Sequence, residues 1–123
     1  MQRPSISSDG KWSFFGGDLQ TWVVSNSASS FTSGQLFRAK SPHTGIGPKS
    51  TATPPYHTHI FQTETFHVKS GILAFKIDGK TGKLTKGEKK SIGPGIAHTF
   101  WNSVEEGQDL EVEITVTGGD NPG

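Results

Sequence analysis

Three histidines and one glutamate have the residue types and spacing of a metal-binding group. His57 and His59 are two positions apart, Glu64 follows them after a short turn, and His98 comes later, after a Gly-Pro-Gly sequence. Residues two apart on an extended strand point to the same side, so both imidazoles share a face and an antiparallel return brings Glu64 beside them. If His98 meets them inside a barrel, His57, His59, Glu64 and His98 can hold one divalent transition metal. These donors suit Fe, Mn, Ni, Zn or Cu and do not reveal which ion is bound.

Short apolar-alternating segments separated by turn residues predict an all-β domain, a sandwich or barrel. The clearest segment is Leu110–Thr117, in which apolar and polar residues alternate as they do in an antiparallel strand over a core. The predicted strands are Lys11–Phe15, Thr21–Ser25, Gln35–Lys40, Tyr56–Phe61, Glu64–Lys69, Ile72–Asp78, Lys89–Ile92, His98–Asn102 and Leu110–Thr117.

The chain has 123 residues, which fits one domain over residues 1–123. Ser25–Ser33, composed mostly of Ser, Asn, Ala and Thr, and Ser41–Pro55, rich in Pro and Gly, are predicted loops. The second loop leads directly into the histidine pair and is therefore a candidate lip of the site. The tail 118–123 is predicted to be flexible.

The composition argues against several classes of protein. The formal net charge is +1, and the basic stretch Lys76–Lys90 contains no aromatic residue on which a base can stack, so we expect no nucleic-acid partner. No apolar run approaches the about 20 residues of a membrane span, and the N-terminus lacks the apolar stretch of a signal peptide. The chain has no cysteine, which excludes disulfides and thiolate zinc sites. We therefore expect a cytoplasmic protein with no membrane partner.

Two stretches resemble the paired signatures of the cupin family. His57-Thr58-His59, four residues, Glu64, six residues and Gly71 match the first signature, and Gly93–Asn102, with its His-(three residues)-Asn ending, is similar to the second. In the second stretch Gly93 stands where the family usually has Pro. The resemblance covers residues 55–102 and implies a single cupin domain, a double-stranded β-helix or jelly-roll barrel. It also implies that His57, His59, Glu64 and His98 are metal ligands.

Strand alternation then predicts which side chains line the barrel. The expected substrate-pocket residues are apolar and belong to four predicted strands: Phe66, Phe75, Phe100, Val112 and Ile114. Alternation from Glu64 points His67 outward, so we do not expect it to bind the metal. His43, in the Pro/Gly-rich loop, is the one weak candidate for a catalytic base outside the ligand set, with a surface loop position as the alternative.

These features predict a metal-dependent cupin enzyme that acts on a small, largely apolar organic molecule, with an oxygenase-type reaction as the leading hypothesis. A non-redox metal-dependent isomerase, cyclase or lyase is the alternative. A non-catalytic cupin that binds a small ligand is the second alternative. The apolar segment Trp12–Val24 further predicts a homodimer, although the same segment can instead cover its own barrel.

Overall fold

The protein folds into two antiparallel β-sheets, as the all-β prediction requires. The computed structural model describes residues 4–41, 43–50, 53–54, 56–59, 61–105 and 107–118. Its ten strands, in chain order, are Ser5–Ile6 (β1), Trp12–Phe14 (β2), Leu19–Asn26 (β3), Ser30–Phe37 (β4), Thr63–Ser70 (β5), Leu73–Ile77 (β6), Lys80–Leu84 (β7), Lys89–Ile92 (β8), His98–Asn102 (β9) and Leu110–Thr117 (β10). Two short 3-10 turns, Phe15–Gly17 and Gly47–Lys49, lie between strands. No helix in this described part of the chain is long and apolar enough to cross a membrane.

The larger sheet has seven strands in the order β1-β2-β3-β4-β10-β5-β8, and the smaller has three in the order β7-β6-β9. The hydrophobic core lies where the two sheets face each other. The buried apolar residues of this core are Phe37, Phe66, Val68, Leu73, Leu84, Ile92, Phe100, Leu110, Val112 and Ile114. β10 lies between β4 and β5 in the larger sheet, and its alternating burial follows the predicted dry and wet faces.

The segment Ser25–Ser33 was predicted to be a loop, and this prediction is wrong. β3 continues to Asn26 and β4 begins at Ser30, so only three residues connect the two strands. Small polar residues are compatible with a strand when they lie on a solvated face and pair across it. Thr32 illustrates this, because its hydroxyl lies 2.7 Å from that of Thr115 on the neighbouring strand.

Two other strand predictions need correction. Tyr56–Phe61 is not a strand, since the described residues of this segment form only one isolated bridge, His57 with His98. Conversely, β7 was not predicted, because it contains two lysines and a glycine, and both residue types are depleted in strands. It exists because it pairs with all of β6 and because Gly82 leaves room for the Phe75 ring, 2.5 Å from where a Cβ would lie.

The predicted loop before the histidine pair contains no strand among its described residues. Most of the predicted flexible tail, residues 119–123, lies outside the described residues. Trp12, Val23 and Val24 lie in β2 and β3 and remain 45%, 63% and 45% exposed. The homodimer predicted from that segment stays a prediction.

Asn102 joins three parts of the structure at the end of β9. Its amide Nδ2 donates to the carbonyl oxygens of Phe37 and Gln108, at 3.1 and 3.0 Å, and its Oδ1 accepts from the N–H of Val104 at 3.0 Å. The side chain is almost fully buried. Because a buried amide must satisfy its donors and acceptor, this residue fixes the β9 end against β4 and the following loop.

Gly71, the glycine that ends the first signature, is needed for two physical reasons. It lies at the turn between β5 and β6 with a φ of 80°, in the left-handed region that favours glycine. A Cβ at this position would also overlap the backbone carbonyl of Asp109. Gly79, at the β6–β7 turn, has nearly the same φ of 77° but no heavy atom within 4 Å of a built Cβ.

We expect Gly71→Ala to destabilise the protein more than Gly79→Ala. Both variants carry the left-handed backbone strain, about 1 kcal/mol, but only the first also displaces the Asp109 backbone, which adds about 1–3 kcal/mol of overpacking. Urea unfolding of the two variants measures the difference directly. Equal losses in the free energy of unfolding would show that the close approach to Asp109 carries no cost.

Asp109 links the loop before β10 to the end of β4. Its carboxylate accepts from the N–H of Ala39 at 2.8 Å and from the guanidinium of Arg38 at 2.9 Å. Burial by itself raises the pKa of the Asp109 carboxyl, but the Ala39 hydrogen bond and the Arg38 charge outweigh burial and leave the pKa below its ordinary value.

A carboxyl with a lowered pKa in the folded state stabilises the protein above its unfolded pKa, and this contribution is lost as the pH falls. We expect Asp109→Asn to reduce the free energy of unfolding at neutral pH by about 1 kcal/mol, a small value because the side chain is partly exposed. The gap between variant and wild type should shrink below a pH of about 4. Urea unfolding across pH measures it, and a gap independent of pH would contradict the assignment.

Candidate metal centre

The structure brings His57, His59, Glu64 and His98 into one cluster. The Nε2 atoms of His57 and His59 are 3.3 Å apart, and those of His59 and His98 lie 3.4 and 2.7 Å from Glu64 Oε2. One donor atom from each of the four residues lies within 4.8 Å of the others. Glu64 and His98 are buried, and the two other histidines are half-buried. The four side chains named from the sequence therefore share one small volume.

Backbone hydrogen bonds, rather than a regular strand, hold the histidine pair in place. His57 and His98 exchange two bonds, with N···O distances of 3.0 and 2.7 Å, and the Gly95 N–H donates to the carbonyl of His59 at 2.7 Å. The two signature segments are thus joined along their backbones. Glu64 comes from the second position of β5, whose alternating burial turns this side chain towards the core.

The ring of His98 is oriented by a second partner. Its Nδ1 lies 2.9 Å from the carbonyl oxygen of Ile96, so an Nδ1–H donates there and Nε2 faces Glu64. A hydrogen bond of this kind fixes which ring nitrogen faces a metal and strengthens that nitrogen as a donor. Phe66 supports the same ring from the core, with a centroid separation of 6.4 Å.

The donor set fits a divalent transition metal. Imidazole and carboxylate ligands bind such ions at about 2.0–2.2 Å, which places neighbouring donors about 2.8–3.1 Å apart in octahedral and about 3.3–3.6 Å apart in tetrahedral coordination. The separations of 3.3 and 3.4 Å match the tetrahedral spacing, and the 2.7 Å contact between His98 and Glu64 lies just below the octahedral one. The carboxylate also offsets part of the charge of the ion.

An apolar cavity of about 290 Å³ opens directly beside the four side chains. Of the predicted pocket residues, Phe100 and Ile114 line it. Phe66 and Val112 are instead fully buried in the core, and Phe75 packs against the edge of the core. The structure thus places two of the five predicted pocket residues at the cavity and three elsewhere, because facing the interior is not the same as facing the open part of it.

The remaining wall of the cavity comes largely from β4, which the sequence reasoning did not assign to the pocket. Phe31, Ser33, Gln35 and Phe37 alternate along this strand and line the cavity. Their alternation is visible in the sequence, but the first two positions fell within the segment interpreted as a loop. Leu19, Pro54 and Val116 complete the lining.

Two further histidines lie apart from the cluster. His43 stacks on Phe15, with ring centroids 4.6 Å apart, and its Nδ1 is buried without a hydrogen-bond partner among the described residues. It does not line the cavity, so the structure does not bring this candidate base to the site. His67 lies three positions after Glu64 on β5, beside Glu113 and Lys89 of the neighbouring strands.

Comparison with known protein families identifies the chain. The model of the cupin domain matches residues 36–117, which include all four clustered side chains. The chain belongs to the cupin family. The antiparallel sheets of this cupin are consistent with a jelly-roll barrel, as predicted.

Curated relatives of this cupin carry oxidoreductase names. The probable oxidoreductase patJ of Penicillium expansum is 29% identical over 75 residues, which is 60% of this chain and 23% of the relative. The probable oxidoreductase virH of Hypocrea virens is 31% identical over 62 residues, 50% of this chain and 28% of the relative. This cupin therefore spans about a quarter of the length of these relatives.

Solved structures support the fold. KdgF from Halomonas sp. has a TM-score of 0.70 at 14% identity, with 98% of this chain and 97% of that one covered. An RmlC-like cupin from Shewanella frigidimarina has a TM-score of 0.67 at 16% identity, with coverage of 98% and 95%. At these identities the likeness concerns architecture alone.

Substitution of a cluster residue should abolish tight metal binding without unfolding the barrel. We expect His59→Ala to weaken Co(II) binding by more than about 100-fold, since loss of a direct ligand exceeds the effect of losing its supporting partners. His67→Ala is the matched control and should bind as wild type does. Calorimetric titration of the metal-free protein, with circular dichroism as the fold check, measures both. Equal affinities for the two variants would place the ion elsewhere.

Proposed function

We propose that this cupin is a metal-dependent oxidoreductase that acts on a small, largely apolar organic molecule, with an oxygenase-type reaction. The observation that carries the proposal is the position of four metal-donor side chains at the wall of an apolar cavity. A mixed imidazole and carboxylate set with room for further ligands supports oxygen chemistry when the ion is Fe(II). The names of the curated relatives point in the same direction.

The chemistry that a bound ion supplies is polarisation of a substrate oxygen and, for a redox-active metal, electron transfer. His57, His59, Glu64 and His98 would hold it, and four protein ligands leave up to two positions of a six-coordinate ion for substrate or dioxygen. The Ile96 carbonyl keeps His98 aligned for this role.

The apolar side chains that line the cavity have a separate role. Phe100 and Ile114 are buried side chains of facing sheets, and they exclude water from one side of the cavity. A cavity of about 290 Å³ suits a small organic molecule rather than a polymer. Exclusion of water strengthens the interaction between the donor set and a polar group of the substrate.

The non-redox alternative lacks a separate proton-transfer group in this cavity. Among the described residues that line it, the only titratable side chains are the four donors themselves. An isomerase or lyase that polarises a carbonyl usually needs a further acid or base within hydrogen-bond reach. The described lining therefore gives the non-redox alternative less support than the oxygenase-type reaction.

The oxygenase proposal predicts oxygen consumption that depends on the cluster. Protein loaded with Fe(II) should consume oxygen in the presence of at least one member of a panel of diketones and catechols. His59→Ala should lose at least about 100-fold of that rate, as expected for removal of a catalytic ligand, whereas His67→Ala should retain it. An oxygen electrode measures the rate.

Conversion of a panel member that continues without oxygen consumption after replacement of Fe(II) by Zn(II) would overturn the redox assignment in favour of isomerase or lyase chemistry. A metal-replete protein that binds panel members and consumes no oxygen would point to a ligand-binding module instead.

A further inference from the structure

The larger sheet carries a second cavity next to the one beside the metal centre. It has a volume of about 560 Å³ and lies over β2, β3 and β4, and Asp9 and Lys11 at its rim also line it. The two cavities share three wall residues, Phe31, Ser33 and Gln35. The two cavities therefore lie side by side along β4.

The larger sheet has seven strands and the smaller has three. Near the end of β4, Phe37 packs on Phe100 of β9 in the smaller sheet, with ring centroids 5.5 Å apart, whereas several residues on the same face of β2, β3 and β4 are exposed. Register places Trp12 beside Thr21, Thr21 beside Gln35 and Val23 beside Ser33, all on this one face. Trp12, Val23 and Phe31 keep 45%, 63% and 40% of their surface exposed.

Two polar side chains lie where the cavities join. Ser33 and Gln35 are next to Ile114 and Val112 of β10 in the register, so they occupy positions where the neighbouring strand is apolar. Neither side chain hydrogen-bonds to another described residue. The half-buried hydroxyl and amide beside these apolar residues of β10 are available to a ligand, and leaving them unpaired under an apolar ligand costs affinity.

We propose that the substrate is an elongated molecule with three chemically distinct parts, an inference that rests on the proposed function. A chelating oxygen group binds at the cluster, a central hydrogen-bonding group binds Ser33 and Gln35, and an apolar end lies over Phe31, Val23 and Trp12. The side chains of β3 and β4 thereby determine specificity, while the cluster carries the chemistry.

Three hydroxamates with the same chelating head test this arrangement on the Zn(II)-loaded protein. Acetohydroxamate has no extension, biphenyl hydroxamate has an apolar one, and benzophenone hydroxamate has the same rings joined by a carbonyl. Val23→Lys places a charged side chain in the second cavity. The adjacent Val24 is also exposed but lines neither cavity. Val24→Lys is therefore the matched control.

We expect Val23→Lys to weaken the binding of both aryl hydroxamates by about tenfold, because the apolar area that their rings bury is lost. Acetohydroxamate and Zn(II) should bind as before, and Val24→Lys should leave all affinities unchanged. Gln35→Leu should shift binding from the benzophenone towards the biphenyl compound. We expect biphenyl hydroxamate to bind about threefold more tightly than in the wild type and benzophenone hydroxamate about fivefold more weakly. Calorimetry gives these constants.

Equal effects of the two lysine variants on the aryl hydroxamates, with Zn(II) binding intact, would overturn this inference and leave the proposed function standing. Absence of Zn(II) binding by the wild type would instead overturn the proposed function. Light scattering tests whether a second copy of the chain occupies this face instead. If Val23→Lys alone halves the molar mass in solution and leaves the hydroxamate affinities unchanged, the face is a dimer interface and the ligand proposal is rejected.

Discussion

The backbone pairing of residues 57–59 with residues 95–98 is the constraint on which the candidate centre depends. Three hydrogen bonds, two of them exchanged between His57 and His98, join segments that are far apart in the sequence. Because side-chain donors must meet to within a few tenths of an ångström to share an ion, their backbones must first be fixed. Glu64 then completes the set from β5, which its neighbouring strand β10 holds in register.

The same architecture separates stability from function. Where both sheets are present, their inner faces form a packed core that includes Phe66 and Val112. Farther along the same face of the larger sheet, Trp12, Val23 and Phe31 are exposed. The donor cluster lies at the boundary between these regions, so one side of it is supported by packed rings and the other faces a cavity.

The sequence was informative where short-range chemistry decides structure. The strand at Leu110–Thr117 followed from a period of two, as did the face that Phe66 and Val68 share with Glu64. The left-handed turn at Gly71 explains why glycine ends the first signature. The family resemblance supplied the fold, because spacing alone does not say that His98 meets residues some forty positions earlier.

The sequence was least informative where long-range pairing decides. Ser30–Ser33 looks like a loop by composition and becomes a strand only because β3 and β10 flank it. That error concealed Phe31 and Ser33, and with them much of the cavity wall. Phe75 and Phe100 both appear inward-facing from alternation, yet only the latter lines the cavity. The Phe75 ring instead lies over Gly82 of β7, and this pairing cannot be obtained from periodicity.

X-ray absorption spectroscopy of the Co(II)-loaded protein tests the central claim most directly, since it counts the imidazoles bound to the ion. We predict three imidazoles in the wild type, with metal–ligand distances of about 2.0–2.2 Å, and two in His98→Ala. An unchanged imidazole count in that variant, or a wild-type spectrum without imidazole scattering, would contradict the assignment of these side chains as one metal centre.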